Sequence, residues 1–193
     1  MRCQRFLQYA VALLLGWSAP AGGASLYLYP LAAVPSGVTG ETAPTITQET
    51  GTGAPTGHKY YVVNFANTVT SCAYLSTVLP KEYVTSEAIE PTITWKPSAS
   101  GGGQATVVSV QLGCFSPGST VNYLTGTLNG SPTTGEDYAG NAHVLTERSP
   151  ALTVTSTGCD PGDIAVLRFC RIGGDANDLF TGVYQLIRVR LRY

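Results

Sequence analysis

Several groups of residues in the sequence are of types that could do chemistry. Two histidines stand in the contexts GHKYY (His58) and NAHVL (His143). Acyl transfer would need a nucleophile, a base and an orienting acid brought together, and neither context carries a nucleophile motif. Glu136, Asp137 and Glu147 could supply the two carboxylates of glycoside hydrolysis, but that chemistry calls for a concave face with aromatics on alternating positions, which the sequence does not display. Asp175, Asn177 and Asp178, with Asp160 and Asp163 close in the chain, are oxygen ligands of the kind calcium takes. They lack the regular alternation ending in a bidentate Glu, and Arg168 and Arg171 stand beside them. The preferred reading is therefore a set of ion pairs in which Arg168 and Arg171 meet Asp175 and Asp178 and fix the geometry of a turn. Arg188, Arg190 and Arg192 recur at every second position. A guanidinium fork binds carboxylates in two places, so this stripe suits an acidic face of a neighbouring subunit or an anionic surface glycan. With two histidines and no CxxC spacing, no metal or other cofactor is expected. The triple glycine 101–103 lies beside serines but lacks the helix start and Lys-Ser/Thr pair of a phosphate cradle, and reads as a mobile hairpin tip.

The elements that must position these groups are strands. The chain has 193 residues, 44% of them hydrophobic and 12% charged, with 22 Gly and 12 Pro. Such a composition, rich in Thr, Ser and Val, is that of an all-β protein with many turns, and the length suffices for one domain with a proper core. Residues 1–24 have the charged, apolar and small-residue layout of a secretory signal peptide, with cleavage expected after Ala24 or Ala21. The apolar run is short for a membrane span, so no membrane association is expected once the leader is removed. Without Arg2 and Arg5, nine basic residues face twelve acidic ones, a net charge of −3; nucleic-acid binding is unsupported. Beyond the leader, Cys72, Cys114, Cys159 and Cys170 form an even set in a chain expected to fold in an oxidising compartment. One or two disulfides are expected; all three pairings stay open, as does burial of some cysteines as small apolar side chains.

Residues 25–33 read as a short N-terminal strand, 34–57 as a Gly/Pro/Thr-rich linker, and 58–193 as the main domain. Strands are expected at 60–65, 70–78, 89–96, 105–115, 121–128, 143–146 and 151–155, and Val108, Val110, Leu112 and Cys114 share one face of the fourth. The last thirty-two residues, 162–193, hold two β-rich runs around the polar turn 173–178 and read as a closing pair. In its second run Val183, Gln185, Ile187, Val189, Leu191 and Tyr193 fall on one face and the three arginines on the other. Short strands at this spacing, with no helix beyond the leader, argue for a two-sheet sandwich or barrel.

The order of these features carries a resemblance. Leu79-Pro80 with Tyr83, then Ile93-Thr94-Trp95, a Ser/Gly-rich loop and a Val-rich strand, then Pro161-Gly162-Asp163 with Arg168, Arg171, Asp175 and Asp178, and a last strand ending in Tyr193, resemble the small β-jelly-roll proteins of tailed bacteriophages and prophages, their virion accessory, fibre or decoration proteins. The likeness spans 70–193 and, more loosely, the SLYLYPL strand. It implies an antiparallel two-sheet jelly roll and a non-enzymatic structural subunit of an external assembly, a virion-type appendage or an exported surface filament. In such a homo-oligomer Leu26, Tyr27, Leu28 and Tyr29, together with Arg188, Arg190 and Arg192, would make the subunit contacts, since an apolar strand ahead of a linker can add to a neighbour's sheet edge. The alternative is a secreted carbohydrate-binding or adhesive module with a cell-surface glycan as partner, using one sheet face or the loop tips 97–104 and 129–142, with Tyr123 and Tyr138 as exposed aromatics.

Overall fold

Strands make up the computed structural model, which describes residues 25–29, 33–35, 40–51, 57–85, 88–118, 128, 132–148 and 158–193. The strands are β1 (Ser25–Leu28), β2 (Val34–Pro35), β3 (Thr45–Thr50), β4 (Lys59–Phe65), β5 (Thr70–Val78), β6 (Glu90–Pro97), β7 (Ala105–Phe115), β8 (Thr133–Tyr138), β9 (Thr146–Arg148), β10 (Ile164–Ile172) and β11 (Tyr184–Arg192). Among the described residues there is no helix. The leader 1–24 and the strand expected at 151–155 lie outside the described residues, as does all of 121–128 except Leu128, which is not in a strand.

One sheet, A, runs β3-β4-β11-β6-β9 with β1 also on β11; the other, B, runs β2-β5-β10-β7-β8. The ladders are antiparallel, and among β4 to β11 the partners nest: β4 with β11, β5 with β10, β6 with β9 and β7 with β8. A chain folded as one long hairpin, then rolled so that successive strand pairs fall alternately in two sheets, gives this order. It is the antiparallel two-sheet jelly roll. Between the sheets lie Val63, Phe65, Leu75, Ile93, Trp95, Val108, Val110, Leu112, Leu167, Phe169, Tyr184, Leu186, Val189 and Leu191, all buried.

Several expectations are corrected here. The closing runs do not pair with each other, because β10 lies in sheet B and β11 in sheet A; the polar turn carries the chain across the sandwich. Alternation specifies a strand's two faces but not its partner. The loop 97–104 is likewise a crossover from sheet A to sheet B and not a hairpin tip. Its tip is packed: Gly101 N donates to Gly140 O at 2.9 Å and Gly103 N to Ala139 O at 2.8 Å. A Cβ at Gly101 would sit 2.3 Å from that of Ala139, while Gly102 and Gly103 hold positive φ of 57° and 84°. Close approach and left-handed backbone, not phosphate, require the three glycines.

The expected linker also contributes structure. TITQET forms β3 and pairs with β4 from Thr45↔Asn64 to Thr50↔Lys59, and Glu41 is ion-paired with Arg168. An edge strand with most side chains in water needs no apolar alternation, so a Thr-rich stretch serves. The strand expected at 143–146 starts at Thr146; His143 sits in a turn with φ of 60°. In β11 the core positions are Tyr184 and Leu186, then Val189 and Leu191, with Gln185 facing out. A β-bulge between Leu186 and Arg188 reverses the phase. One extra residue flips every later side chain, so Val183, Gln185 and Ile187 do not share the face of Val189 and Leu191. The bulge falls where β11's neighbour on that side changes from β4 (Tyr184–Leu186) to β1 (Val189–Arg192).

All four expected cysteines are bridged, Cys72 to Cys170 and Cys114 to Cys159. The first joins directly opposed residues of β5 and β10. The second ties the end of β7 to the turn before β10, which starts at Ile164.

Candidate binding face

The outer face of sheet A collects the side chains that the core rejects: Arg188, Arg190 and Arg192 of β11, Glu90, Thr92, Thr94 and Lys96 of β6, Glu147 of β9 and Tyr27 of β1. Although they point away from the core, Thr92, Thr94, Lys96 and Gln185 are buried, at 6%, 6%, 2% and 7% exposure. Polar groups withdrawn from water need partners, and the face is organised by that need.

At one end, Lys96 is ion-paired with Glu49 of β3. Glu49 also accepts from Tyr60 Oη at 2.9 Å and Gln185 Nε2 at 2.8 Å. Gln185 Nε2 reaches Asn64 Oδ1 as well, at 2.8 Å, and Lys96 Nζ stands 3.4 Å from His143 Nδ1. Burial alone would raise the Glu49 pKa, but hydrogen bonds from Lys96 and Tyr60 and the Lys96 charge outweigh it and hold the carboxyl below its ordinary value. Burial would lower that of Lys96, but its bonds to Glu49 and Tyr60 and the Glu49 charge raise it. At this end each charge has its own partner, while Gln185 Oε1, shielded from water, has no donor among the described residues.

The other end is less complete. Arg188 Nε donates to Thr94 Oγ1 at 3.2 Å and Arg190 Nη2 to Thr92 Oγ1 at 3.4 Å. Both guanidinium groups lean on the one carboxylate of Glu147, at 3.9 and 3.5 Å. Arg192 pairs with Glu90. The Arg188 guanidinium lies 5.2 Å from the centre of the Tyr27 ring. Tyr27 and Tyr29, 43% and 54% exposed, lie with ring centres 6.5 Å apart and planes 28° from parallel. Arg190 Nε, shielded from water, has no acceptor among the described residues.

The inward arginine is arranged differently. Arg171, on the core side of β10, and Asp178 have fully buried side chains. Arg171 Nε and Nη2 bind the two Asp178 oxygens at 2.9 and 2.7 Å. Nη1 donates to Gly182 O at 2.6 Å and Phe65 O at 3.4 Å, and Nη2 also to Phe180 O. Asp178 accepts further from Thr106 Oγ1 and Val107 N, each at 3.1 Å. This one ion pair therefore joins β4, β7, β10 and the crossover into β11.

The remaining expected site residues are dispersed. Arg168 meets Glu41, not the acidic turn. Asp175 accepts from Asn177 N at 2.8 Å, Asp163 from Asp160 N at 2.9 Å, and Asp160 from Thr85 Oγ1 at 3.0 Å. Among the described residues no three His, Cys, Asp or Glu side chains are grouped to hold a metal. Glu136 is exposed on the outside of β8 in sheet B, Asp137 is buried, and Glu147 lies on sheet A, so the three acids do not face a common cleft. Leu28 is buried in the core and Leu26 packs against it, because β1 pairs with β11 of its own chain. Tyr138 is 40% exposed on β8; Tyr123 lies outside the described residues. In the sequence Glu147 is a candidate carboxylate for hydrolysis and not a partner of the arginines; the parts played by Thr92, Thr94 and the Glu49–Lys96 pair escaped sequence reasoning. Their only signal was polar alternation in TITWK and TITQET.

No protein-family model and no curated protein matches the chain. Solved structures similar to it include the exo-beta-1,3-galactanase of Phanerochaete chrysosporium with galactose, at 10% identity and a TM-score of 0.42 over 89% of this chain; the chain spans 29% of that enzyme's length. Another is the family 11 carbohydrate-binding module of Clostridium thermocellum in complex with a beta-1,3-1,4-mixed-linked tetrasaccharide, at 13% identity and a TM-score of 0.38 over 91% of each chain. A third is TmCBM61 in complex with beta-1,4-galactotriose, at 13% identity and a TM-score of 0.31 over 80% of this chain and 92% of that one. Likenesses this distant say nothing of what this chain binds.

Proposed function

We propose that the protein is an extracellular, non-catalytic module that binds glycan on the outer face of sheet A. The observation that carries this is the exposed Tyr27–Tyr29 pair beside Arg188, whose guanidinium is held on the buried Thr94 hydroxyl. Aromatic rings offer an apolar surface for the C–H side of a sugar ring, and flanking donors fix its hydroxyls. Two disulfides suit an oxidising, exported setting. The test is a glycan array probed with the wild type and with a Tyr27→Ala/Tyr29→Ala variant. Specific wild-type binding that the variant loses, at unchanged melting temperature, is the expected result; no binding to any glycan refutes the reading.

A second reading, a subunit of a phage-like appendage or surface filament, is favoured by β1. Among the described residues this four-residue strand pairs with β11 alone, and the β1 of a second copy could make the same ladder. Light scattering on the protein with and without residues 25–33 checks it: a multimer that becomes a monomer supports the exchange, and a monomer in both cases removes it.

A further inference from the structure

We propose that the ligand of this face carries a carboxylate, a uronate-bearing oligosaccharide, and that Arg188 and Arg190 bind it in the place Glu147 half fills; this rests on the glycan-binding reading above. The charges on the face decide the point. Lys96 has Glu49 and Arg192 has Glu90, one partner each. Among the described residues Arg188 and Arg190 have only the Glu147 carboxylate between them, at 3.9 and 3.5 Å, longer than a charge-assisted hydrogen bond. One positive charge is therefore left over at one place on a chain whose net charge is −1. Arg190 Nε, shielded from water, has no acceptor among the described residues, and an unsatisfied guanidinium N–H is costly. The hydroxyls of Thr92 and Thr94 fix the two forks from below, and the Tyr27 ring lies against Arg188. A planar carboxylate takes two parallel N–H bonds from such a fork, while the sugar ring bearing it would rest on Tyr27 and Tyr29. A neutral sugar would leave the surplus charge as it is.

The test is calorimetric titration of the purified full chain with oligogalacturonate, with the same oligosaccharide after reduction of its carboxyl groups, and with poly-glutamate. We expect the acidic sugar to bind at least about tenfold more tightly than its reduced form, as loss of a charge-assisted bond implies. Arg188→Ala/Arg190→Ala should abolish that preference without lowering the melting temperature by more than a few degrees. Glu147→Gln, which removes the internal competitor, should tighten acidic-sugar binding several-fold and leave the reduced sugar unaffected. Equal binding of the acidic and reduced sugars overturns the uronate assignment and leaves the glycan reading standing. Binding of neither overturns the uronate assignment, and the glycan reading falls with it only if the array is blank as well; binding of poly-glutamate without either sugar assigns the face to an acidic polypeptide and also overturns the inference.

Discussion

Arg171 lies inside the sandwich on β10, and Arg190 lies outside it on β11. The first has both fork edges occupied, by the Asp178 carboxylate and by the carbonyls of Phe65, Phe180 and Gly182. The second shares one distant carboxylate with Arg188 and keeps an N–H without an acceptor among the described residues. The two arginines have the same chemistry and opposite degrees of completion. A buried guanidinium that is fully satisfied fixes geometry. One left incomplete beside exposed rings is poised to meet something else. Pairing alone is thus a poor guide to role; the guide is how many donors remain.

The largest effect should come from breaking the complete pair. Asp178→Ala leaves a buried, uncompensated charge and should cost about 3–5 kcal/mol of unfolding free energy, read as a lower denaturation midpoint. A loss under about 1 kcal/mol would put Arg171 on a level with the outer arginines and dissolve the contrast. Next comes Glu49→Gln, at the Lys96 end of the outer face, with an expected cost of about 1–3 kcal/mol near neutral pH, the worth of hydrogen bonds to a charged group. Its pH signature is specific. The Glu49 pKa is lowered in the folded state, so its contribution is full above the ordinary value of 4.5 and is lost as pH falls through the lower folded value. The wild type should therefore lose stability in that acid window more steeply than Glu49→Gln. Lys96, whose pKa is raised from 10.5, contributes fully below that value and loses its part only as pH rises through the higher folded one. Equal acid slopes in wild type and variant would mean that Glu49 is not held by the network. The smallest effect is expected for Arg188→Ala/Arg190→Ala, within about 1 kcal/mol because both side chains are a third exposed and weakly paired; urea titration beside Asp178→Ala makes the comparison direct.

How far the chain could be read in advance follows from the same division between inside and outside. The bounds of β5 and β7, 70–78 and 105–115, were legible because long apolar alternation marks strands that face the core. β8 was not, since TTGEDY mixes Gly, Asp and Glu, residues depleted in strands, at a sheet edge where packing asks little of them. The bulge at Ile187 left no trace, because VYQLIRVRLRY alternates acceptably in either phase. The arginine stripe was visible, but its partner was not: Glu147 is about forty residues away on a three-residue strand, and only the β6–β9 ladder brings it across. The Arg171–Asp178 pair was among the expected ones because its members are seven residues apart around one turn; that it spans two sheets depends on contacts with Phe65 and Thr106, far away in sequence.

The two disulfides nest, with the Cys114–Cys159 bridge wholly inside the span closed by Cys72–Cys170. A protease that cut the backbone once anywhere between Cys72 and Cys170 would leave two pieces still covalently joined, and a cut between Cys114 and Cys159 would leave them joined twice. In a compartment where proteases are abundant and thiols are oxidised, a single nick anywhere in that span sheds neither half.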